Sequence, residues 1–460
     1  MVLDDLQTET GSRIAAADAL VAMAEMFPIC RSITGDGVRR TLDIVERIVP
    51  LERHEVATGT AVFDWDVPRE WNIRDAWIAD SEGRRVVDFR AHTLHVLGYS
   101  TPVRRTMSLD ELQPHLYSLP DQPDRIPYRT SYYREHWGFC LRHRDRERLG
   151  PGPYEVVIDA DLKPGHLSYA ECATPRTVAG EAFVYTHTCH PSLANDNLSG
   201  IAVAAILARE LRRAPTRLGW RFIFAPGTIG SLTWLSRNEA RLPRVVGGLV
   251  IGSLGDAGPL TYKRSRRGHT AIDRAVEHVL ASKAETSRIM DFEPYGYDER
   301  QFCSPGFDLP VGRLTRSPNG AYPEYHTSAD DLSLLKPEQL AESIRVLARV
   351  VATMDCNRRL LNLRGKGEPR LGKYGLYGTI GGTAPGEFEH ALLWVLNLGD
   401  GEHDLIAMAE RSGLDVDLLD RAANALEKAG LVKTLDGANP VQPPSALRET
   451  ARRGSGEAVT

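Results

Sequence analysis

The stretch that decides the fold is residues 185–200, which read YTHTCHPSLANDNLSG. An apolar run at residues 182–185 leads into it, and from residue 201 to residue 213 apolar side chains recur at helical spacing. The pattern predicts a strand, a polar loop and a helix. In open α/β folds, ligand sites collect where such loops leave the carboxyl ends of the strands.

A second stretch, far down the chain, has the same character. Residues 323–331 read PEYHTSADD; they follow an apolar segment at 309–314 and precede a helical pattern at 337–354. Two such loops at equivalent ends of two strands can converge, and neutral imidazole with carboxylate is a ligand set that suits zinc. The alternative for the first loop is a turn whose Asn and Asp side chains only cap the following helix.

The composition limits the class of protein. The 460 residues are 42% apolar and 25% charged, with a formal net charge of −5, and a chain of this length predicts two or three domains. No apolar run is long enough for a membrane span, and so small a charge gives no case for nucleic-acid or membrane binding. The start of the chain lacks the pattern of a signal segment, so we expect a cytoplasmic protein. Its six scattered cysteines then predict free thiols.

The order of the patterns divides the chain into domains. Helical patterns at 14–26 and 37–48 are followed by short strands broken by Pro and Gly, and after Pro153 strands alternate with helices. This alternation predicts an α/β domain with a doubly wound, mostly parallel sheet. We assign residues 1–53 and 154–360 to this domain and residues 54–153 to a β-rich domain inserted into it.

The inserted domain carries an aromatic cluster. Its members are Tyr128, Tyr132, Tyr133, His136 and Trp137. These side chains either line a substrate cleft or pack the domain.

The C-terminal part of the chain predicts a separate helical unit. A Gly/Arg-rich linker at 361–385 precedes three short helical patterns and a β-ribbon at 386–440, the order of a winged helix. The tail at 441–460 is polar and predicted to be disordered. Because the third helix begins with Asp415 and Asp417, it lacks the basic face that phosphates require. We expect a protein-contact module that supports a homo-oligomer, with no nucleic-acid partner.

The motifs resemble a known family. Residues 190 and 196–200, with the Tyr325-His326-Thr327 loop, are similar to those of zinc aminopeptidases of the leucyl-aminopeptidase and glutamate-carboxypeptidase type. The longer stretches CHPSLANDNLSG, DERQF and EYHTS more closely resemble a bacterial branch of aminopeptidase-like proteins, often found beside polysaccharide or natural-product biosynthesis functions. The resemblance implies a zinc aminopeptidase fold with an inserted β-domain and a C-terminal winged helix.

The resemblance also implies the metal ligands. The first His ligand of the family falls on His190, with His187 as the alternative. Asp196 matches the carboxylate that bridges two metals in the larger family, and Asp256 matches a further carboxylate ligand. His326 matches the final His ligand.

One departure from the family pattern changes the expected chemistry. The larger family places a Glu-Glu pair after the second core strand, whereas residues 225–228 of this chain read APGT. A single zinc held by His190, Asp196 and His326, with water in the open position, is therefore expected, and a second zinc remains the alternative.

Another acid must then carry the proton to the leaving amine. By loop position the candidates are Glu324, two residues before His326, and Glu299, for which an ion pair with Arg300 is the alternative. Cys189 is read as a small buried thiol, because no separate Cys-His-Asn arrangement is evident.

The predicted function is a metal-dependent amide hydrolase. It would remove an aminoacyl group from a small peptide or biosynthetic conjugate through a zinc-activated water. One alternative is a non-catalytic docking protein of the same fold in a biosynthetic assembly. The other is an acyl transferase or cyclase with a single zinc.

Overall fold

The computed structural model describes residues 2–175, 180–283, 285–376 and 386–435. The helices are α1 (Asp4–Gln7), α2 (Glu9–Met26), α3 (Asp36–Ile48), α4 (Leu109–Leu112), α5 (His143–Glu147), α6 (Gly200–Leu211), α7 (Ile229–Asn238), α8 (Ala271–Ala281), α9 (Glu299–Phe302), α10 (Pro337–Cys356), α11 (Glu387–Leu398), α12 (Leu405–Ser412) and α13 (Val416–Lys428). The strands are β1 (Glu52–Ala57), β2 (Ala61–Val62), β3 (Trp65–Asp66), β4 (Glu70–Ala79), β5 (Arg85–Asp88), β6 (Val103–Met107), β7 (Leu116–Tyr117), β8 (Phe139–Cys140), β9 (Tyr154–Lys163), β10 (His166–Ala173), β11 (Glu181–His187), β12 (Gly219–Ala225), β13 (Val245–Ile251), β14 (Leu260–Lys263), β15 (Ser287–Met290), β16 (Val311–Thr315), β17 (Arg359–Asn362), β18 (Asp400–Asp404) and β19 (Val432–Leu435).

The main sheet has eight strands in the order β1-β10-β12-β11-β13-β16-β14-β15. Its centre, β12-β11-β13-β16, is parallel. The pairs β1-β10, β10-β12 and β14-β16 are antiparallel. The α/β fold class predicted from the sequence is confirmed, with a mixed sheet that has four parallel strands in the middle and a further parallel pair, β14-β15, at one edge.

Both faces of the central strands are covered by helices. Every residue of β11 is buried, as is usual for parallel strands, which read as continuous apolar runs. Phe183 faces Trp234 of α7 and Phe302 of α9. On the other face, Val184 packs in one apolar cluster with residues of α2, α6, α8 and α10. This packing fixes the carboxyl end of β11, where His187 lies.

The inserted β-rich part differs from the prediction at its second boundary. Its sheet has the order β5-β4-β9-β6, so residues 154–163 belong to this sheet and not to the α/β domain to which we assigned them. The sequence change after Pro153 marks the start of β9, whose alternating burial is typical of a strand with one exposed face. β1, at residues 52–57, pairs with β10 of the main sheet instead.

The C-terminal unit packs against the α/β domain. β17 pairs with β18 and β19, so the unit takes its first strand from residues that we predicted as the domain end and linker. Arg274 of α8 forms ion pairs with Asp404 at 3.1 Å and Glu410 at 2.7 Å. Asp415 pairs with Arg349 of α10, which explains the acidic start of the third helix. The predicted tail at 441–460, residues 377–385 of the linker and residues 436–440 lie outside the described residues.

Two further observations concern the whole described chain. None of the helices among these residues has the length and apolarity that crossing a membrane requires. The six cysteines are free thiols, as the sequence predicts.

Candidate metal centre

Three histidines surround one carboxylate at the carboxyl edge of the parallel strands. His187 ends β11, His190 and Asp196 lie in the loop before α6, and His326 lies in the loop after β16. The Asp196 carboxylate is 2.9 Å from His187 Nε2, 3.2 Å from His190 Nδ1 and 3.1 Å from His326 Nε2. The structure thus brings His190, Asp196 and His326 together.

His187 belongs to the same group, although the sequence offered it only as an alternative to His190. Ligand atoms of His187, His190 and Asp196 all lie within 4.8 Å of one another. Period-2 alternation along β11 carries His187 to the face of Phe183 and Tyr185, while His190 returns to it three residues later. Both imidazoles therefore lie beside the Asp196 carboxylate and could bind a metal ion there.

The two Asn residues beside Asp196 hold its loop in place. Asn197 Nδ2 donates hydrogen bonds to Thr186 Oγ1 and to the His187 carbonyl, at 2.8 and 3.0 Å. Asn195 donates to Asp256 at 2.8 Å. All three residues of the Asn-Asp-Asn segment are buried, and a buried polar group costs free energy unless it is hydrogen-bonded. The segment is therefore a support for Asp196 and not only a helix cap.

Asp330 fixes the main chain of the same loop. Its carboxylate accepts hydrogen bonds from the N–H groups of Asn195 at 2.6 Å and Asp196 at 3.0 Å, and from the Tyr322 hydroxyl at 3.2 Å. Burial raises the pKa of Asp330 to about 7. The two histidine-bearing loops are thus tied together.

Asp256 does not join the histidines, and its prediction as a metal ligand is corrected here. Its carboxylate accepts hydrogen bonds from Asn195 Nδ2 at 2.8 Å, Ser317 Oγ at 2.7 Å and the Gly258 N–H at 2.7 Å. The side chain therefore connects the loop after β13 to the loops after β11 and β16. Its place after a strand end suggested a ligand, but these neighbours give it a positioning role.

The two predicted catalytic acids both form ion pairs. Glu299 is fully buried and its Oε1 lies 2.5 Å from Lys263 Nζ; its expected partner Arg300 donates instead to the Tyr297 carbonyl. This enclosure argues against a catalytic role for Glu299, and we correct that assignment. Glu324 is partly buried and its Oε1 lies 3.3 Å from Arg125 Nη2.

Tyr297 takes the space next to Gly227, where the family pattern has a carboxylate. A Cβ built on Gly227 would overlap the Tyr297 hydroxyl. That hydroxyl lies 3.4 Å from Cys189 Sγ and 3.5 Å from His190 Nε2, and burial raises its pKa well above the ordinary value. The sequence gave no signal for this contact, because residues 227 and 297 are brought together only by tertiary packing.

Aromatic rings form a wall around the imidazoles. Tyr128 lies 5.2 Å from the His190 ring and 5.1 Å from the His326 ring, measured between centroids. Tyr325 stacks on His326 at 3.9 Å. The Tyr128 N–H also donates to the His326 carbonyl at 2.7 Å. The inserted β-rich part therefore contributes directly to the site.

Two of the three imidazoles are neutral near pH 7, as ligands of a cation must be. Burial lowers the pKa of His187 to about 4 and also lowers that of His326, so both imidazoles are neutral near pH 7. Burial opposes the charge of His190, but the Asp196 carboxylate raises its pKa above the ordinary value. Burial acts to raise the pKa of Asp196, yet His190 and the hydrogen bonds from the imidazoles hold it well below its ordinary value. The neutral nitrogens of His187 and His326 beside an ionised carboxylate fit zinc, and His190 would release its proton on binding the cation.

Known proteins are similar to this chain over most of its length. A protein of Clostridium acetobutylicum, named as a polysaccharide biosynthesis protein with an aminopeptidase-like domain, is 49% identical over 410 residues, which cover 89% of this chain and 94% of that protein. The crystal structure of a candidate peptidase from the same organism is similar, with a TM-score of 0.87, 46% identity and 93% and 98% of the two chains covered.

A more distant structure shares the fold alone. The zinc aminopeptidase BSAP of Bacillus subtilis has a TM-score of 0.54 at 13% identity, over 73% of this chain and 94% of that one. Residues 358–434 match the winged helix-turn-helix family, which confirms the predicted winged helix. Residues 20–357 match the model of the domain of unknown function DUF4910, and the chain belongs to this family of aminopeptidase-like proteins.

Proposed function

We propose that the chain is a metal-dependent amide hydrolase that removes an aminoacyl group from a small peptide or biosynthetic conjugate. The observation that carries the proposal is the contact of His187, His190 and His326 with the one carboxylate of Asp196, at 2.9 to 3.2 Å. Clustered imidazoles of shifted pKa at the ligand edge of an α/β sheet are a feature of functional sites. The fold shared with a zinc aminopeptidase supports the same conclusion.

His190, Asp196 and His326 would hold the cation, with His187 as a further nitrogen donor. When bound, a zinc ion supplies a Lewis acid that polarises an amide carbonyl and lowers the pKa of water. We propose one cation per chain. Residues 226–228 offer no carboxylate, and the Tyr297 hydroxyl fills the space beside Gly227.

The other side chains would position the substrate and move its proton. Tyr128 and Tyr325, which contact His326, would shield the amide group from bulk water while leaving room for the one attacking water. Glu324 lies in the same loop, and its carboxylate would take a proton from the attacking water and pass it to the leaving amine. Arg125, 3.3 Å away, would hold that carboxyl group in place.

One structural observation favours the alternative of a non-catalytic docking protein. Glu299 is enclosed by Lys263, and Glu324 forms an ion pair with Arg125. An acid that moves a proton must be free to reach it. If Glu324 stays with Arg125 after substrate binds, the fold would serve recognition without turnover.

Turnover and zinc binding should be measured together to separate the two functions. Purified wild type, His326→Ala and a control, His269→Ala at an exposed histidine, would be tested on a panel of aminoacyl p-nitroanilides. A hydrolase should show zinc-dependent release of p-nitroaniline that is lost in His326→Ala and kept in His269→Ala. Zinc binding without turnover on the whole panel would favour docking.

We also propose that the protein forms a homo-oligomer through its winged helix and works in the cytoplasm. An open groove of about 770 Å³ on the winged helix is lined by Leu393, Trp394 and Leu396. A second copy could cover these apolar side chains. The free cysteines fit a reducing compartment.

A further inference from the structure

A small cavity lies at the edge strands β14 and β16. Its volume is about 80 Å³, larger than the space that a single buried water requires. Lys263, Arg313 and Asn319 line it, with Gly296 and the exposed Tyr295 at one side. It lies outside the group of histidines and has charged side chains in a partly apolar lining.

Two buried cations face this cavity. Lys263 and Arg313 are each 7% exposed and lie opposite one another on the antiparallel strands. Lys263 Nζ pairs with Glu299 at 2.5 Å and donates to the carbonyls of Tyr295 at 2.6 Å and Glu293 at 3.2 Å, so its three N–H groups all have partners. Arg313 Nη2 donates to Asn319 Oδ1 at 2.6 Å. Within the described part of the chain, no carboxylate oxygen lies within 4.0 Å of the Arg313 guanidinium.

Lys263 and Arg313 carry two positive charges, whereas the buried Glu299 beside Lys263 carries one negative charge. Burial acts to raise the pKa of Glu299, but the charges of Arg313 and Lys263 hold it below the ordinary value. Glu293 also lines the cavity, at the exposed rim, where water and salt screen its charge. A buried charge costs free energy unless it is paired. The interior of the cavity therefore favours an anion.

The cavity and the metal centre lie on two sides of one short segment. The Tyr297 N–H donates to the Glu299 carboxylate at 3.1 Å, while the Tyr297 ring lies 4.2 Å from the His187 ring. Gly296, with φ 151°, passes so close to Glu299 and Lys263 that a Cβ would overlap both. Only glycine allows this approach, and it brings the charged pair next to the histidines.

We propose that the cavity is a carboxylate subsite, in which Arg313, oriented by Asn319, binds a free carboxylate of the substrate and the nearby Lys263 adds positive charge. The planar guanidinium can bind a carboxylate through two parallel hydrogen bonds. The substrate class becomes an aminoacyl conjugate with a carboxylate near its amide bond. This identity of the substrate rests on the proposed hydrolase function, whereas binding of a carboxylate does not.

Calorimetric titration with succinate and its neutral diamide, succinamide, tests the subsite. The protein variants are wild type, Arg313→Met, Arg313→Lys and the control Arg288→Met, which removes an exposed arginine from the neighbouring strand β15. Wild type and the control should bind succinate at least tenfold more tightly than succinamide. Arg313→Met should lose this preference, and Arg313→Lys should weaken succinate binding several-fold because lysine lacks the fork. If Arg313→Met does not fold, Arg313→Lys carries the test.

Two outcomes would overturn the subsite. One is equal affinity of wild type for succinate and succinamide. The other is unchanged succinate affinity in the folded Arg313 variants. Titration of His326→Ala separates this proposal from the hydrolase function, because loss of the metal centre should leave the preference for succinate intact. A protein without zinc or turnover that still prefers succinate would contradict only the proposed function.

Discussion

The hydroxyl of Tyr297 occupies the space that a side chain at Gly227 would need. The two residues are seventy positions apart, yet the size of each limits the size of the other. A larger residue at 227 would displace the ring, and a smaller residue at 297 would leave a gap beside His187, whose ring lies 4.2 Å away. Gly227 and Tyr297 are therefore a matched pair beside the histidines.

Gly227→Ala should destabilise the protein by about 1–3 kcal/mol, the usual cost of overpacking a buried site. Thermal and denaturant unfolding measure this loss. Gly306→Ala is the control, because a Cβ there meets no atom within 4 Å. The double variant Gly227→Ala/Tyr297→Ala should cost less than the sum of its single variants. Additive losses would show that the two residues do not share the space.

Glu324→Gln should retain zinc and lower kcat by roughly 10²-fold or more, because the glutamine cannot deliver a proton. Steady-state kinetics and elemental analysis give the two readouts. Glu338→Gln, at an exposed glutamate near the start of α10, should behave as wild type. Weakened zinc binding in Glu324→Gln would make Glu324 a ligand, and wild-type turnover with normal zinc would exclude both roles.

Asp256→Ala should lower stability without abolishing the metal site. It removes the acceptor for Asn195, Ser317 and the Gly258 N–H, and each buried donor left unpaired costs about 1–3 kcal/mol. Unfolding measurements should show this loss, while zinc content at saturating zinc stays near that of wild type. Complete loss of zinc in a folded Asp256→Ala protein would restore Asp256 as a ligand.

Asp298 should make stability depend on pH. Burial raises its pKa to about 7, above the value of about 3.9 in an unfolded chain. Its protonated form therefore stabilises the fold fully below pH 4, and this contribution is lost as the pH rises toward 7. Asp298→Asn, which keeps an acceptor for Thr228 and Ser231, should reduce the fall in unfolding free energy by up to about 1.4 kcal/mol per pH unit.

The control for this pH dependence is a substitution of the same kind at an exposed aspartate. Asp121→Asn, at an exposed position, should leave the pH dependence of unfolding as in wild type. Denaturant titrations between pH 4.5 and 7 at fixed zinc concentration give the curves. Identical pH dependence in wild type and Asp298→Asn would contradict the prediction.

The winged helix should carry the contact between copies of the chain. Leu393→Asp combined with Trp394→Asp places charges in the groove of about 770 Å³, so the oligomeric mass in sedimentation should fall. Arg421→Ala, an exposed change on α13, is the control. An unchanged mass in the double variant, or a monomeric wild type, would count against this contact.

The sequence predicts those parts of the site that lie in strand-end loops. Two polar stretches after apolar runs predict the loops that hold these side chains, because parallel strands bring such loops to one edge. The resemblance to zinc aminopeptidases then implies His190, Asp196 and His326 within them. The alternation of strands and helices likewise predicts the sheet. Local patterns carry this information, and the structure agrees with it.

Tertiary contacts account for the parts that sequence reasoning missed. Asp256 follows a strand as a ligand would, but Asn195 lies between it and the histidines in the hydrogen-bond network. Strand 154–163 begins at the expected place yet pairs with β4 and β6, and pairing partners cannot be read from one strand. Tyr297 meets Gly227 only because the segment before α9 folds over the loop after β12.

Zinc content by elemental analysis tests the central claim most directly. Wild type and His269→Ala, after dialysis against buffered zinc, should hold about one zinc per chain, whereas His326→Ala and Asp196→Asn should hold almost none while their circular dichroism matches that of wild type. Equal zinc content in all four proteins, or no zinc in folded wild type, would contradict a metal centre built on Asp196.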